Sequence, residues 1–157
     1  MLLVVPALAR CGGSSKPHST NAAGATSSST SSTATSSQPS PATPVHGVQV
    51  GQGIVRATSD TLVATMHAGT HTPTVGRAWP VSFSVQRAGR PAPAAVSYQY
   101  LLASQVVARR SHYRFRGHFS DVFHWPSSAV GYALTFRAVV ESGVTTLYLD
   151  YPVRVRR

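Results

Sequence analysis

Met66, His67 and His71 lie close together in the segment TMHAGTHTP, at a strand end and in the loop that follows it. A thioether and two imidazoles make a ligand set that suits copper. Their spacing is not diagnostic of a metal site, and the alternative interpretation places the histidines at exposed strand or loop positions. Binding or carriage of copper in the cell envelope is therefore one functional hypothesis. It ranks second to the binding or structural role described below, and the sequence assigns no cofactor.

Asp121 and His124 come nearest to a general acid–base pair. Three residues of separation on a strand place two side chains on opposite faces, so this pair fits catalysis poorly. We expect Asp121 to contact an arginine and His124 to be exposed. The chain has four carboxylates in all, and it contains no nucleophile elbow, phosphate loop or zinc-protease motif. The sequence thus predicts a protein that is not an enzyme.

Residues 109–123, RRSHYRFRGHFSDVF, interleave basic and aromatic side chains. This pattern suits phosphate contact and base stacking in a nucleic-acid-binding protein. A solvated basic edge strand explains the same pattern and is the favoured interpretation. An exported chain would also be separated from nucleic acid.

Arginine dominates the charge of the chain, whose formal net charge is +10. Such a surface attracts anionic partners. In the C-terminal strand, Val153 and Val155 alternate with Arg154 and Arg156, so the two arginines project from the outer face that also carries Arg137. We expect these three arginines to form a basic face for lipid headgroups, an anionic envelope polymer or another envelope protein.

The position of Arg137 depends on the register of the last hairpin. A two-residue turn at Ser142-Gly143 would set Arg137 directly opposite Tyr148 and diagonal to Asp150. The large apolar residues then share the other face. A slip of one residue would bury the charged pair, so alternation supports this choice of face.

Cys11 is the only cysteine, which excludes an internal disulfide. It follows the apolar run MLLVVPALA and precedes Gly-Gly-Ser-Ser, a segment that leaves a thiol accessible. Residues 8–11, LARC, resemble the lipobox of a bacterial lipoprotein signal, although Arg10 stands where that pattern has a small residue. The resemblance implies that Cys11 is acylated and becomes the first residue of the mature protein. A free thiol in an uncleaved leader and a start assigned at the wrong codon are the alternatives.

Composition divides the chain into three parts. Residues 1–13 form the signal-like segment. Residues 14–45 are rich in Ser, Thr, Ala and Pro and lack large apolar side chains before Val45, which predicts a disordered linker. Residues 46–157 carry the apolar periodicity of a folded domain.

The pattern of the folded domain predicts an all-β fold. Short runs of alternating apolar and polar residues are separated by Gly, Pro and polar turn residues. Val81, Phe83 and Val85 alternate with polar residues in WPVSFSVQ, and VSYQYLL repeats the pattern. Strands are predicted over 48–57, 61–67, 79–87, 95–102, 105–110, 119–125, 132–141 and 144–156. Seven to eight such strands favour an immunoglobulin-like antiparallel β-sandwich behind a disordered N-terminal segment, with a small barrel as the alternative.

The runs TPTVGRAWPVSFSV, LTFRAVV and YLDYPVRVRR resemble immunoglobulin-like domains of actinobacterial extracytoplasmic lipoproteins. This resemblance covers residues from about 54 to the C-terminus. It implies a fold and a location on the outer side of the cell membrane, with a lipid anchor, but no reaction. The sequence thus predicts an exported, lipid-anchored envelope protein with a binding or structural domain.

Overall fold

A computed structural model describes residues 43–157, and of Ser111 it describes the backbone alone. Cys11, the expected signal segment and nearly all of the expected linker lie outside the described residues. Within residues 43–157 the chain forms strands and one 3-10 turn, Ser127–Ala129, and no α-helix. That part of the chain therefore has no helix long and apolar enough to cross a membrane.

Eleven strands follow one another along residues 45–154. They are β1 (Val45–His46), β2 (Val48–Gly51), β3 (Ile54–Ser59), β4 (Leu62–Ala68), β5 (Ala78–Arg87), β6 (Arg90–Pro91), β7 (Pro93–Leu102), β8 (Gln105–Arg116), β9 (His118–His124), β10 (Ala133–Ser142) and β11 (Thr145–Arg154). The predicted strand 48–57 is in fact the hairpin β2–β3, because a turn at Gln52-Gly53 interrupts it. The β8 strand is six residues longer than predicted.

The strands form two sheets that pack face to face. One has the order β1-β11-β10-β7-β8 and the other the order β2-β3-β4-β5-β9, with β6 beside β5. The sheets are linked through a single residue pair, Arg116 of β8 with His118 of β9. Apart from β1, which runs parallel to β11, the paired strands are antiparallel. The expected all-β sandwich is confirmed.

Seven long strands build the centre of this sandwich. β4, β5 and β9 form one sheet, and β11, β10, β7 and β8 form the other. These groupings correspond to strands A, B and E facing strands G, F and C of the immunoglobulin architecture, with the fourth strand paired beside C. The hairpin β2–β3 and the short strand β1 extend the two sheets at their far edges.

Alternating apolar residues of both sheets fill the space between them. Val81, Phe83 and Val85 are fully buried or nearly so, as alternation predicted. Aromatic rings join the layers: Trp79 of β5 meets Phe136 of β10 edge to face at 5.3 Å between centroids. Such edge-on pairs are a favoured arrangement of aromatic rings and help define one packing of the core.

The register of the β10–β11 hairpin differs from the prediction by two residues. Ser142 pairs with Thr145, so the turn is Gly143-Val144 and not Ser142-Gly143. Gly143 takes a φ of +62° at the first turn position, which suits the type II′ turn of a two-residue hairpin. A shift of two preserves the side-chain faces, because the strand period is two. The predicted inner and outer faces are therefore correct, although the predicted partners are not.

Candidate functional site

The residues of the copper hypothesis point in different directions. Met66 is completely buried in the core, whereas its neighbour His67 lies exposed on the other face of β4. His71 stacks on the Tyr151 ring at 4.1 Å, and its Nδ1 lies 2.8 Å from the carbonyl oxygen of Pro152. Among the described residues, no group of three or more His, Cys, Asp or Glu side chains is placed to hold a metal ion.

The three arginines of the expected basic face all project outward, but they are not equivalent. Arg137 binds Asp150 through two hydrogen bonds, and its guanidinium carbon lies 4.7 Å from the centroid of the Tyr148 ring. Arg154 and Arg156 are exposed near the end of the chain. The charge of Arg137 is therefore compensated within the domain.

Asp121 takes an unexpected position on the inner face of β9. Its Oδ1 accepts a hydrogen bond from the backbone N–H of Val122, and its buried Oδ2 has no partner. Within residues 43–157 it forms no ion pair with an arginine, so that expectation was wrong. The reason is that the strand alternation turns Asp121 inward with Phe119 and Phe123. His124 is exposed, as predicted.

Most of the basic and aromatic side chains of β8 separate onto its two faces. Arg114 and Arg116 pair with Ala95 and Pro93 of β7 and are exposed, whereas Arg110 pairs with the core residue Tyr98 and lies over the Phe123 ring. Tyr113 and Phe115 point inward instead, where each stacks on Phe119 of β9 at 5.4 Å between centroids. The rings that the sequence offered for base stacking are thus used mainly to close the sandwich.

Gly117 determines how β8 and β9 separate. It joins the two strands with a φ of +72°, and a Cβ at this position would lie 2.7 Å from the Cβ of Pro91. Its N–H donates to the carbonyl of Ala92, and its carbonyl accepts from the N–H of Val85. Only glycine fits both this conformation and this space. From Gly117 the two edge strands diverge, because each pairs with a different sheet.

The divergence leaves an apolar cleft at the open end of β8 and β9. It encloses a cavity of about 500 Å³. Most of the walls come from aromatic and aliphatic side chains, among them Tyr100, Val107, Phe123, Trp125, Tyr132 and Leu134. This volume lies in the range of small-molecule sites, which are typically about 300–1,000 Å³.

Trp125 forms a wall of the cleft and carries an unpaired donor. It is 4% exposed and packs edge to face against Trp79 at 5.4 Å and Tyr100 at 5.5 Å. Its indole Nε1 is buried and has no hydrogen-bond partner, whereas the Nε1 of Trp79 donates to the carbonyl of Thr70 at 2.9 Å. A buried donor without an acceptor is uncommon and calls for an explanation such as a bound water or ligand.

Positive charge lies at the rim of the cleft. The arginines Arg109 and Arg110 line the cavity and are exposed, and the exposed His124 lies beside them. The guanidinium carbon of Arg110 lies 5.2 Å from the centroid of the Phe123 ring, a cation–π distance. Of the described side chains that line the cavity, none is a carboxylate.

Two tyrosines beside the cleft have altered acidity. The pKa of Tyr98 is strongly raised, first by burial of its hydroxyl and then by the nearby Asp121 carboxylate. The pKa of Tyr100 is raised by burial, although the neighbouring Arg110 acts in the opposite direction. Asp121 of β9 therefore lies near the hydroxyl of Tyr98, on the inner face of the sandwich.

No family model and no curated protein matches the sequence of this chain. The cleft is therefore identified from its shape and its lining residues. Sequence reasoning singled out residues 109–123 for their composition but did not identify a cavity, because Trp125, Tyr132 and Leu134 belong to other segments. The adjacent arginines Arg109 and Arg110 were the feature of the sequence that could have indicated a binding site in this region.

Proposed function

We propose that this chain is an exported, lipid-anchored envelope protein whose β-sandwich is a non-catalytic binding domain. The observation that carries the binding role is the apolar cleft between β8 and β9. Its volume and its mostly apolar walls with a few polar groups are typical of a ligand site. Asp121 and His124 face opposite sides of β9, so these two residues do not act together as acid and base at the cleft.

The export role rests on the N-terminal sequence. The LARC segment supplies Cys11 for acylation, and the Ser/Thr-rich stretch after it supplies a tether. The basic outer residues Arg154 and Arg156 suit an anionic headgroup or envelope polymer near a membrane surface.

Copper carriage remains the second hypothesis, and the geometry does not favour it. Met66 fills the core between the two sheets, and reaching His67 would require it to leave that core. Removing a fully buried Met side chain from such a site costs about 2–5 kcal/mol. We therefore assign the binding role to the cleft.

Export is tested by the intact mass of the protein recovered from membranes and from medium of an actinobacterial host. The expected membrane-bound species begins at Cys11 and carries a diacylglycerol group. The variant Cys11→Ser should move to the medium or keep its leader. Recovery of an unmodified wild-type chain beginning at Met1 in the cytosol would contradict the anchor.

Binding at the cleft is tested with Nile red, a neutral apolar dye whose fluorescence rises in apolar sites. The wild-type chain should bind about one dye, and Val107→Phe should weaken binding by filling the cleft from β8. Val48→Phe on the distant edge strand β2 is the matched control, since Val48 is 66% and Val107 57% exposed. Equal binding by wild type and Val107→Phe would locate the dye elsewhere and contradict the proposed site.

A further inference from the structure

We propose that the ligand of the cleft is an amphiphilic anion, a small molecule with an apolar body and a carboxylate or phosphate head. This inference rests on the proposed binding function and adds the chemistry of the ligand to it. Three features of the cleft support it independently: its apolar walls, its uncompensated positive rim and its unpaired indole donor.

The apolar walls require an apolar ligand body. Phe123, Trp125 and Leu134 contribute surface that water would fill poorly, and burying a ligand against them releases that water. Arg110 lies over the face of the Phe123 ring, so the apolar wall and the charged rim meet at this residue. A ligand that spans the junction must itself have an apolar part and a polar part.

The charge of the rim requires an anionic head. The four carboxylates of the chain are Asp60, Asp121, Glu141 and Asp150. Asp150 is bound to Arg137, Asp60 lies in the turn between β3 and β4, and Glu141 lies at the far end of β10.

Asp121 lies near the hydroxyl of the buried Tyr98. Within residues 43–157, Arg109 and Arg110 form no ion pair with any carboxylate. A planar guanidinium binds carboxylate and phosphate oxygens through charge-assisted hydrogen bonds, which are stronger than neutral ones. The charge of these two exposed arginines is therefore available to an anionic head group of the ligand.

The Trp125 indole supplies a third contact. Its Nε1 is buried in the cleft wall without an acceptor. Trp125 lines the cavity, and a ligand oxygen that reached its Nε1 would remove the cost of leaving a buried donor unpaired. The same indole then reports binding, since its N–H resonance shifts when it acquires an acceptor.

The test is a titration of the full ¹⁵N-labelled chain with decanoate, decyl phosphate, decanol and decylammonium. The chain has two tryptophans, so two indole N–H resonances are followed. Trp79, which already donates to Thr70, is the internal reference for an intact fold. Decanoate or decyl phosphate should shift the Trp125 resonance. Decanol and decylammonium should bind with an affinity at least about tenfold lower.

The double variant Arg109→Gln/Arg110→Gln should lose about tenfold in affinity for the anions and keep its affinity for decanol. Its matched control is Arg114→Gln/Arg116→Gln, which removes two arginines from the same strand. That control should bind the anions as the wild type does. An unchanged Trp79 resonance verifies that each variant is folded.

The outcomes separate the two proposals. Preference for decanoate would identify a carboxylate as the head group, and preference for decyl phosphate a phosphate. If decanol binds as tightly as the anions and the Arg109/Arg110 variant binds them normally, the anionic ligand is excluded while the binding cleft stands. If none of the four compounds moves the Trp125 resonance, the binding function and the anionic ligand both fail.

Discussion

Arg137 of β10 and Asp150 of β11 lie directly opposite each other, and their side chains are joined by hydrogen bonds of 2.6 Å and 2.8 Å. Arg137 also stacks over Tyr148, and the Nδ1 of His46 approaches the same carboxylate at 3.3 Å. The bond to Asp150 is the main cause that raises the pKa of Arg137. This pair secures the last hairpin and removes Arg137 from the free positive charge of the surface.

The Arg137–Asp150 pair should contribute measurably to stability. We expect Asp150→Asn to lower the free energy of unfolding by about 1–2 kcal/mol, because the pair is bidentate and partly buried. Asp60→Asn, in the exposed β3–β4 turn, is the control and should change stability by less than about 0.5 kcal/mol. Urea unfolding of the three proteins measures the difference. Equal stability of the two variants would show that the pair contributes nothing.

Substitution of Gly117 by alanine should destabilise the fold more than the same substitution at another glycine of positive φ. Gly117→Ala is expected to cost about 2–4 kcal/mol, because strain at positive φ adds to a clash with Pro91. Gly143 has a φ of +62° and open space around it, so Gly143→Ala should cost only the strain of positive φ, about 1–2 kcal/mol. Denaturant unfolding compares them, and a similar loss in both would mean that the Pro91 clash is relieved at no cost.

The buried tyrosines should make the fold sensitive to alkali. Burial raises the pKa of Tyr98, Tyr100 and Tyr151 above the ordinary value of 10.0. A raised folded pKa means that the unfolded chain binds fewer protons above pH 10, so the free energy of unfolding falls as pH rises there. Below pH 10 these hydroxyls are protonated in both states, and their stabilising effect is complete.

Replacing Tyr98 should reduce this alkaline loss. Tyr98→Phe removes the hydroxyl that is most strongly affected, so the fall in stability between pH 10 and pH 12 should become shallower. Tyr132→Phe, at a ring that is 53% exposed, should leave the slope unchanged. Urea unfolding at a series of pH values provides the slopes. If the free energy of unfolding of Tyr98→Phe falls with pH as steeply as that of the wild type, the loss of stability in alkali is caused by other groups.

His71 should behave as a structural anchor, whereas His67 should not. His71→Ala removes the stack on Tyr151 and the bond to Pro152, and we expect a loss of about 1 kcal/mol. His67→Ala changes an exposed strand position and should have an effect within about 0.5 kcal/mol. Thermal unfolding without added metal compares them. Equal effects would contradict the anchoring role of His71.

Local alternation predicted the inner and outer faces of the long strands well. Val81, Phe83 and Val85 are buried as expected, and Arg137 lies on the outer face as expected. The partners of Arg137 were displaced by two residues, because the turn lies at Gly143-Val144. Period-two patterning distinguishes odd shifts from even ones but not one even shift from another. Turn geometry decided the remaining choice.

The sequence by itself determined the all-β class, the order of the long strands along the chain and the core-facing side of the clearly alternating strands β5, β10 and β11. These properties depend on neighbours along the chain, whose alternation is visible in the residues. Tertiary structure alone decided that β8 and β9 join different sheets and diverge from Gly117. It thereby brought Trp125 and Leu134 into one cavity beneath Arg109 and Arg110, because contacts between distant segments depend on strand pairing and packing across the whole sandwich.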